Sequence, residues 1–169
     1  MAKVNFKGNP VTLKGELPKE GDFAPDFVGV RDNLEETKLS QLKNKVTIIL
    51  AVPSLDTSTC ATEALQFSQK LGQKPDVQAI VVSEDLPFAM KRYMQSHGIE
   101  NLMPLSDFRY RDFISKYNTE MVDGPLKGLS ARAVIIVGED NRVKYVELVP
   151  EVSMEPEYNK ALAVVDSLL

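Results

Sequence analysis

An apolar run of seven residues, Val46–Val52, constrains the fold of this chain more than any other stretch. A run of β-branched and aliphatic residues with so little polarity predicts a buried strand, because only a strand covered on both faces tolerates it. Apolar side chains then recur at the spacing of a helix, at Cys60, Ala64, Phe67 and Leu71. Gly72 supplies a helix stop after this pattern. The stretch therefore predicts a buried strand that leads directly into an amphipathic helix.

The only cysteine of the chain, Cys60, falls in the first turn of the predicted helix. Four residues with good capping side chains precede it, and the sequence does not decide which of them caps the helix: Asp56, Thr57, Ser58 and Thr59. Glu63 adds a carboxylate that we expect in the first turn. The N–H groups and the positive dipole end of a helix stabilise a nearby negative charge, and a thiolate is such a charge. A reactive cysteine and an inert buried cysteine are both compatible with this position.

The composition favours a single globular domain over residues 1–169, because 43% of the residues are hydrophobic and 26% are charged. A net charge of −4 gives no electrostatic footprint for nucleic acid or for an anionic membrane surface. No apolar stretch approaches the roughly 20 residues that cross a bilayer, and no signal-peptide pattern opens the chain. One cysteine excludes an intrachain disulfide and a cysteine-based zinc cluster. We therefore expect a protein of a reducing compartment, the cytoplasm.

The rest of the chain alternates between strand and helix patterns. Short alternating segments flank Gly8-Asn9-Pro10, which predicts an N-terminal β-hairpin. A second buried strand over Val77–Ser83 follows the first helix, and the order strand, helix, strand implies a right-handed parallel crossover. Further helices are expected over 83–98 and 108–117 and from Pro156 onwards, and further strands over 102–105, 134–137 and 143–149. These elements together predict an α/β fold.

Three motifs of this chain resemble one known family. The pattern Pro53-x-x-x-Thr57-x-x-Cys60 resembles the motif of peroxiredoxins, in which the cysteine attacks a hydroperoxide and becomes a sulfenic acid. Together with the residues between Pro53 and Thr57, it is similar to the motif of bacterial thiol peroxidases. Asp85–Ala89 and Asp123–Val134 resemble two further signatures of that family. Because the resemblance covers nearly the whole chain, it implies a thioredoxin-like fold with an N-terminal β-hairpin, a homodimer, and a peroxidase acting on hydrogen peroxide and organic hydroperoxides.

Arg132 is the second candidate functional residue. On a strand it would share a face with Val134, an unusual place for a permanent charge unless it lies at the strand entrance or has a partner. An arginine that emerges into solvent at a strand end is the alternative. The resemblance implies that Arg132 stabilises the Cys60 thiolate and hydrogen-bonds the peroxide, work suited to a planar fork of donors. It further implies that Thr57 orients the sulfur and the peroxide oxygen, and that Pro53 shields the pocket from water. This chemistry calls for no metal and no cofactor.

The chain departs from the family at Met94. In members of the atypical 2-Cys type this helix carries the resolving cysteine, and alignment from Asp85 places Met94 at its position. A methionine thioether cannot condense with a sulfenic acid to form a disulfide. Three functions therefore remain open: a one-cysteine peroxidase reduced by an external thiol such as thioredoxin, a slow redox sensor, or a non-catalytic binding protein on the same scaffold. His97 lies among polar residues at a predicted helix end, so we expect a solvated side chain and not the base of a cysteine hydrolase.

Overall fold

A computed structural model describes residues 2–169. The strands are β1 Lys3–Phe6, β2 Asn9–Thr12, β3 Val28–Arg31, β4 Glu36–Lys38, β5 Val46–Ala51, β6 Val77–Ser83, β7 Leu102–Ser106, β8 Ala133–Gly138 and β9 Val143–Leu148. The α-helices are α1 Ser58–Leu71, α2 Pro87–Ser96, α3 Asp112–Lys116 and α4 Tyr158–Leu168, and a short 3₁₀ helix covers Leu39–Gln41. The predicted α/β class and the N-terminal hairpin are confirmed.

Strand β5 lies inside a seven-stranded sheet of order β4-β3-β7-β6-β5-β8-β9. It pairs in parallel with β6, as the crossover rule predicts, and antiparallel with β8. Every residue of β5 is buried, and its side chains alternate between two faces. Ile48 joins the apolar cluster that contains Phe67 of α1, whereas Ile49 joins the cluster that contains Phe113 of α3. Both faces of the strand are therefore covered, which is why the apolar run shows no polar alternation.

The N-terminal hairpin turns one step earlier than the sequence pattern indicates. Lys7 and Gly8 form the turn, with φ angles of 50° and 82°, and Asn9 and Pro10 already belong to β2. A two-residue turn whose central residues both have positive φ matches the twist of an antiparallel pair, so it is favoured over the predicted turn at Gly8-Asn9-Pro10. Pro10 is tolerated because this two-stranded sheet consists of edge strands alone.

The third helix is much shorter than the predicted span of 108–117. Arg111, directly before it, has a φ of 50°, in the left-handed region that no α-helix can include. Helix α3 therefore begins only at Asp112. Among residues 2–169, no helix combines the length and the apolar character that spanning a bilayer requires.

Candidate active site

The junction between β5 and α1 places Cys60 at the carboxyl edge of the sheet. Thr57 is the N-cap of α1, and its Oγ1 accepts a hydrogen bond from the Cys60 N–H at 3.3 Å. The same hydroxyl donates to the Ser54 carbonyl at 3.0 Å. These two bonds fix the backbone of Cys60 at the helix start, and its side chain is completely buried. Thr57 is thus the capping residue that the sequence left undecided.

Asp85 holds the loop between β5 and α1 against the end of β6. Its carboxylate accepts hydrogen bonds from the Ser54 hydroxyl at 2.6 Å, from the Leu55 N–H at 2.8 Å and from the Ser83 hydroxyl at 2.6 Å. Pro53 is buried within this same loop. In the sequence, Asp85 stood out only as part of a family motif. Its place directly after a buried strand was the signal that could have identified it as the residue joining two strand ends.

Arg132 precedes β8 by one residue, so it lies at the strand entrance, one of the two settings that the strand pattern allows. Its guanidinium is buried and fixed by three of its five N–H groups. Nε and Nη2 donate to the Val152 carbonyl at 3.0 and 2.8 Å, and Nη1 donates to Glu63 Oε2 at 3.1 Å. The solvent-exposed alternative for Arg132 is therefore wrong. The guanidinium is joined to α1 through Glu63, which lies one turn beyond Cys60.

The position predicted for Glu63 is wrong. We expected a carboxylate in the first turn, but Glu63 lies beyond that turn and its side chain is fully buried on the face of α1 that carries Cys60 and Phe67. Burial raises the pKa of Glu63 to about 8, and the charge and hydrogen bond of Arg132 oppose that rise. Among the described residues, no group hydrogen-bonds Glu63 Oε1. The helical spacing that placed Cys60 and Phe67 inside also places Glu63 inside, so the pattern contained this information.

Comparisons with known proteins give a consistent result. The redoxin family profile matches residues 19–162. A thiol peroxidase of Leptospira interrogans is 47% identical over 100% of both chains, and a thiol peroxidase of Aquifex aeolicus is 46% identical over 98% of both. This chain belongs to the thiol peroxidase family of redoxins. The crystal structure of a peroxiredoxin-like protein from A. aeolicus matches with a TM-score of 0.95 and 44% identity, covering 100% of this chain and 98% of that one.

Family membership confirms the thioredoxin-like peroxiredoxin fold and the enzyme class predicted from the three motifs. The protein is a thiol-dependent peroxidase, and its single cysteine fits one-cysteine chemistry. In the structure, Pro53 lies in the loop before α1, and Thr57 and Cys60 lie at the start of that helix. The Arg132 side chain contacts the same helix through Glu63. Four residues that are distant in the sequence are thereby brought to one end of the sheet.

Met94 is buried on α2 and belongs to the same apolar cluster as Cys60. Its thioether contributes apolar packing between α2 and the sheet. His97, as predicted, is exposed, at the C-terminal end of α2. Its Nδ1 lies 3.0 Å from the Tyr93 carbonyl oxygen and its ring stacks on that of Tyr93. These contacts within α2 give no support to a cysteine–histidine hydrolase.

Proposed function

We propose that this chain is a one-cysteine hydroperoxide reductase in which the Cys60 thiolate is the nucleophile. The sulfur attacks one oxygen of the hydroperoxide, the O–O bond breaks, and the leaving oxygen takes up a proton. The products are the Cys60 sulfenic acid and an alcohol, or water when the substrate is hydrogen peroxide. The observation that carries this proposal is the burial of Cys60 at a capped helix start, with the guanidinium of Arg132 anchored to the same helix.

The surrounding residues have separate proposed roles. Arg132 stabilises negative charge on the sulfur and on the leaving oxygen, and its three bonds to Val152 and Glu63 hold it ready before substrate arrives. Thr57 orients the sulfur and the peroxide oxygen while it caps α1. Pro53, which has no N–H group, closes the pocket against water without adding a competing donor.

The sulfenic acid is proposed to be reduced by a thiol from outside the chain, because the sequence holds no second cysteine. One external thiol condenses with the sulfenic acid to a mixed disulfide and water, and a second thiol releases the Cys60 thiol and an external disulfide. Thioredoxin, with two thiols, is the candidate reductant. We place this chemistry in the cytoplasm, on a single domain over residues 1–169.

A brief peroxide pulse followed by intact-mass measurement tests the reaction. We expect Cys60 to gain one oxygen, and a carbon nucleophile that traps sulfenic acids to capture it. Cys60→Ser is the matched control and should gain neither. If the parent protein gains neither oxygen nor trap at low peroxide excess, the enzyme proposal fails and a non-catalytic role on this scaffold replaces it. With added thiol, turnover should saturate, and excess peroxide should convert Cys60 to the irreversible sulfinic acid.

Met94→Cys tests the one-cysteine assignment. The new thiol would stand where related enzymes carry their resolving cysteine, so oxidation should give an intrachain disulfide and turnover supported by thioredoxin, provided that α2 can move toward Cys60. Met121→Cys is the control, because Met121 is also buried but lies in the cluster under the N-terminal hairpin. If Met94→Cys forms no disulfide, α2 lacks the mobility that resolution requires. If the parent already turns over rapidly with thioredoxin, direct attack on the sulfenic acid is its route.

We also propose that two copies of the chain associate through the aromatic surface next to the active site. Exposed apolar side chains follow the carboxyl ends of two neighbouring strands, β6 and β7, at Leu86, Phe88, Phe108 and Tyr110. The two loops are joined by a hydrogen bond from the Asp107 N–H to the Ser83 carbonyl at 2.9 Å. Phe88→Glu should shift the mass measured by light scattering from dimer to monomer. Phe23→Glu, at a side chain of nearly equal exposure before β3, should not.

A further inference from the structure

Tyr93 connects α2 to the first turn of α1. Its ring is buried, and its hydroxyl donates a hydrogen bond of 2.6 Å to the carbonyl of Ala61, the residue directly after Cys60. The ring also stacks on His97, with 4.2 Å between the ring centroids. The stacking contact with His97 therefore holds the Tyr93 ring, and the hydroxyl bonds to α1 directly beside Cys60.

The Tyr93 hydroxyl remains a donor throughout the working range of the enzyme. Burial, followed by the negative charge of Cys60, raises the pKa of Tyr93 to about 12. Loss of the bond to Ala61 would leave a buried hydroxyl without its partner, which has a considerable free-energy cost. Opening the first turn of α1 away from α2 therefore requires breaking this bond.

The two halves of the catalytic cycle make different demands on that first turn. The oxidation step benefits from the closed state, because Cys60 then stays at the capped helix start, on the helix to which Arg132 is anchored through Glu63. The reduction step requires an external thiol to approach the sulfur until a disulfide of normal geometry can form, with the two Cβ atoms about 3.5–4.5 Å apart. Cys60 is completely buried in the closed state, so a thiol, which is larger than hydrogen peroxide, has no such approach.

We propose that Tyr93 is a positioning residue that controls the reductive half of the cycle by fastening the first turn of α1 to α2. This inference rests on the proposed role of Cys60 as the peroxide-reactive residue. With the bond made, Cys60 is held in the geometry for peroxide and its sulfenic acid is shielded. When the bond opens, the sulfenic acid becomes accessible, and a thiol displaces its oxygen as water to form the mixed disulfide. Tyr93 thus divides the cycle between a closed oxidising state and an open reducible state.

Tyr93→Phe removes the hydroxyl and keeps the ring. Oxidation of Cys60 by hydrogen peroxide should stay within about twofold of the parent, while reduction of the preformed sulfenic acid by 2-mercaptoethanol should accelerate about fivefold, the factor that corresponds to one ordinary hydrogen bond. The matched control is Tyr117→Phe. Tyr117 is also buried and donates at 2.7 Å to a backbone carbonyl, that of Pro25, but it lies in the cluster on the other face of the sheet. This control should leave both rates unchanged.

A split between the two rates in Tyr93→Phe alone supports the proposal, since loss of general stability would not favour one half-reaction. Equal rates in the parent, Tyr93→Phe and Tyr117→Phe would overturn it, and so would slower reduction in Tyr93→Phe. If peroxide fails to oxidise Cys60 in the parent, the proposed function itself fails, and this result is distinct from an unchanged reduction rate.

Native-state hydrogen exchange gives a second measurement that does not depend on catalysis. Amides 60–62 should exchange faster in Tyr93→Phe than in the parent, whereas amides in the last turn of α1 should not change. If circular dichroism shows that Tyr93→Phe is unfolded, hydrogen exchange in the parent protein alone tests the proposal. Amides 60–62 that exchange as fast as the frayed end of α4 would then overturn the proposal, and strong protection would support it.

Discussion

Two arginines of this protein contact glutamates at similar distances but in very different surroundings. Arg132 and Glu63 are 3.1 Å apart, and their side chains are 2% and 0% exposed. Arg111 and Glu84 are 3.0 Å apart, but the Arg111 side chain is 43% exposed. Water can solvate Arg111 when a partner is lost, whereas Arg132 has only the protein. The same arginine–glutamate distance therefore costs little to lose at the surface, whereas in the interior both partners depend on the protein for their hydrogen bonds.

The surroundings of Arg111 also supply more partners. Its guanidinium donates to the Gly128 carbonyl at 3.0 Å and lies 3.5 Å from the Glu120 carboxylate. Glu84 is hydrogen-bonded to Asp107, whose carboxylate accepts from the N–H groups of Phe113 and Ile114 at the start of α3. Burial and the adjacent Asp107 carboxyl together raise the pKa of Glu84 to about 9, against the opposing charge of Arg111. Arg111 therefore keeps other partners when one of these contacts is lost.

Arg132→Met should have the largest effect. Removing a donor that stabilises developing charge typically slows such a reaction by about 100–1,000-fold, so we expect Cys60 oxidation to slow by that order. The domain should still fold, at a cost of about 1–3 kcal/mol near neutral pH, because Glu63 can remain protonated when its partner is lost. Stopped-flow oxidation and urea unfolding measure the two effects. An unchanged oxidation rate would reduce Arg132 to a structural residue.

Glu63→Gln should change the pH dependence of stability. The pKa of Glu63 is raised from 4.5 to about 8 in the folded state, so between those values the folded protein retains a proton that the unfolded chain releases. Stability of the parent therefore falls as the pH rises through this window. The glutamine variant lacks this proton, and its stability relative to the parent should increase toward pH 8. Parallel stability curves from urea unfolding at several pH values would contradict this assignment.

Arg111→Met should have the smallest effect. A half-exposed ion pair contributes about 0–1 kcal/mol, so we expect a loss of stability within that range and an oxidation rate within about twofold of the parent. The same urea and stopped-flow measurements apply. A loss comparable to that of Arg132→Met would show that the two arginine sites are energetically alike despite their different burial.

Local sequence signals predicted the elements that the chain builds from neighbouring residues. The apolar run of β5 and the periodicity of α1 placed Cys60 correctly, because both patterns lie within one short stretch. Strand alternation also indicated that Arg132 needs a strand entrance or a partner. The identity of that partner was beyond reach, because Glu63 is 69 residues away in the chain. No local pattern specifies such a pairing.

Long-range contacts also explain two further residues whose contacts the sequence patterns did not predict. Asp85 meets Leu55 across 30 residues, and Tyr93 meets Ala61 across 32. Each of these contacts depends on how β5, β6 and α2 are placed by the sheet. The start of α3 could not be predicted for a different reason. Arg111 is an ordinary helix former by residue type, but its backbone is left-handed, so α3 begins only after it.

The Val152 carbonyl that accepts two bonds from Arg132 is part of the backbone, so no substitution at that position deletes the acceptor. The position of this acceptor is therefore set by the path of the backbone. The Val152 N–H donates to the Asn5 carbonyl at 2.8 Å, and the Asn5 N–H donates to the Pro150 carbonyl at 2.7 Å. An insertion or deletion in the N-terminal hairpin would thus move the acceptor of the arginine, and engineers who vary this hairpin should preserve its register.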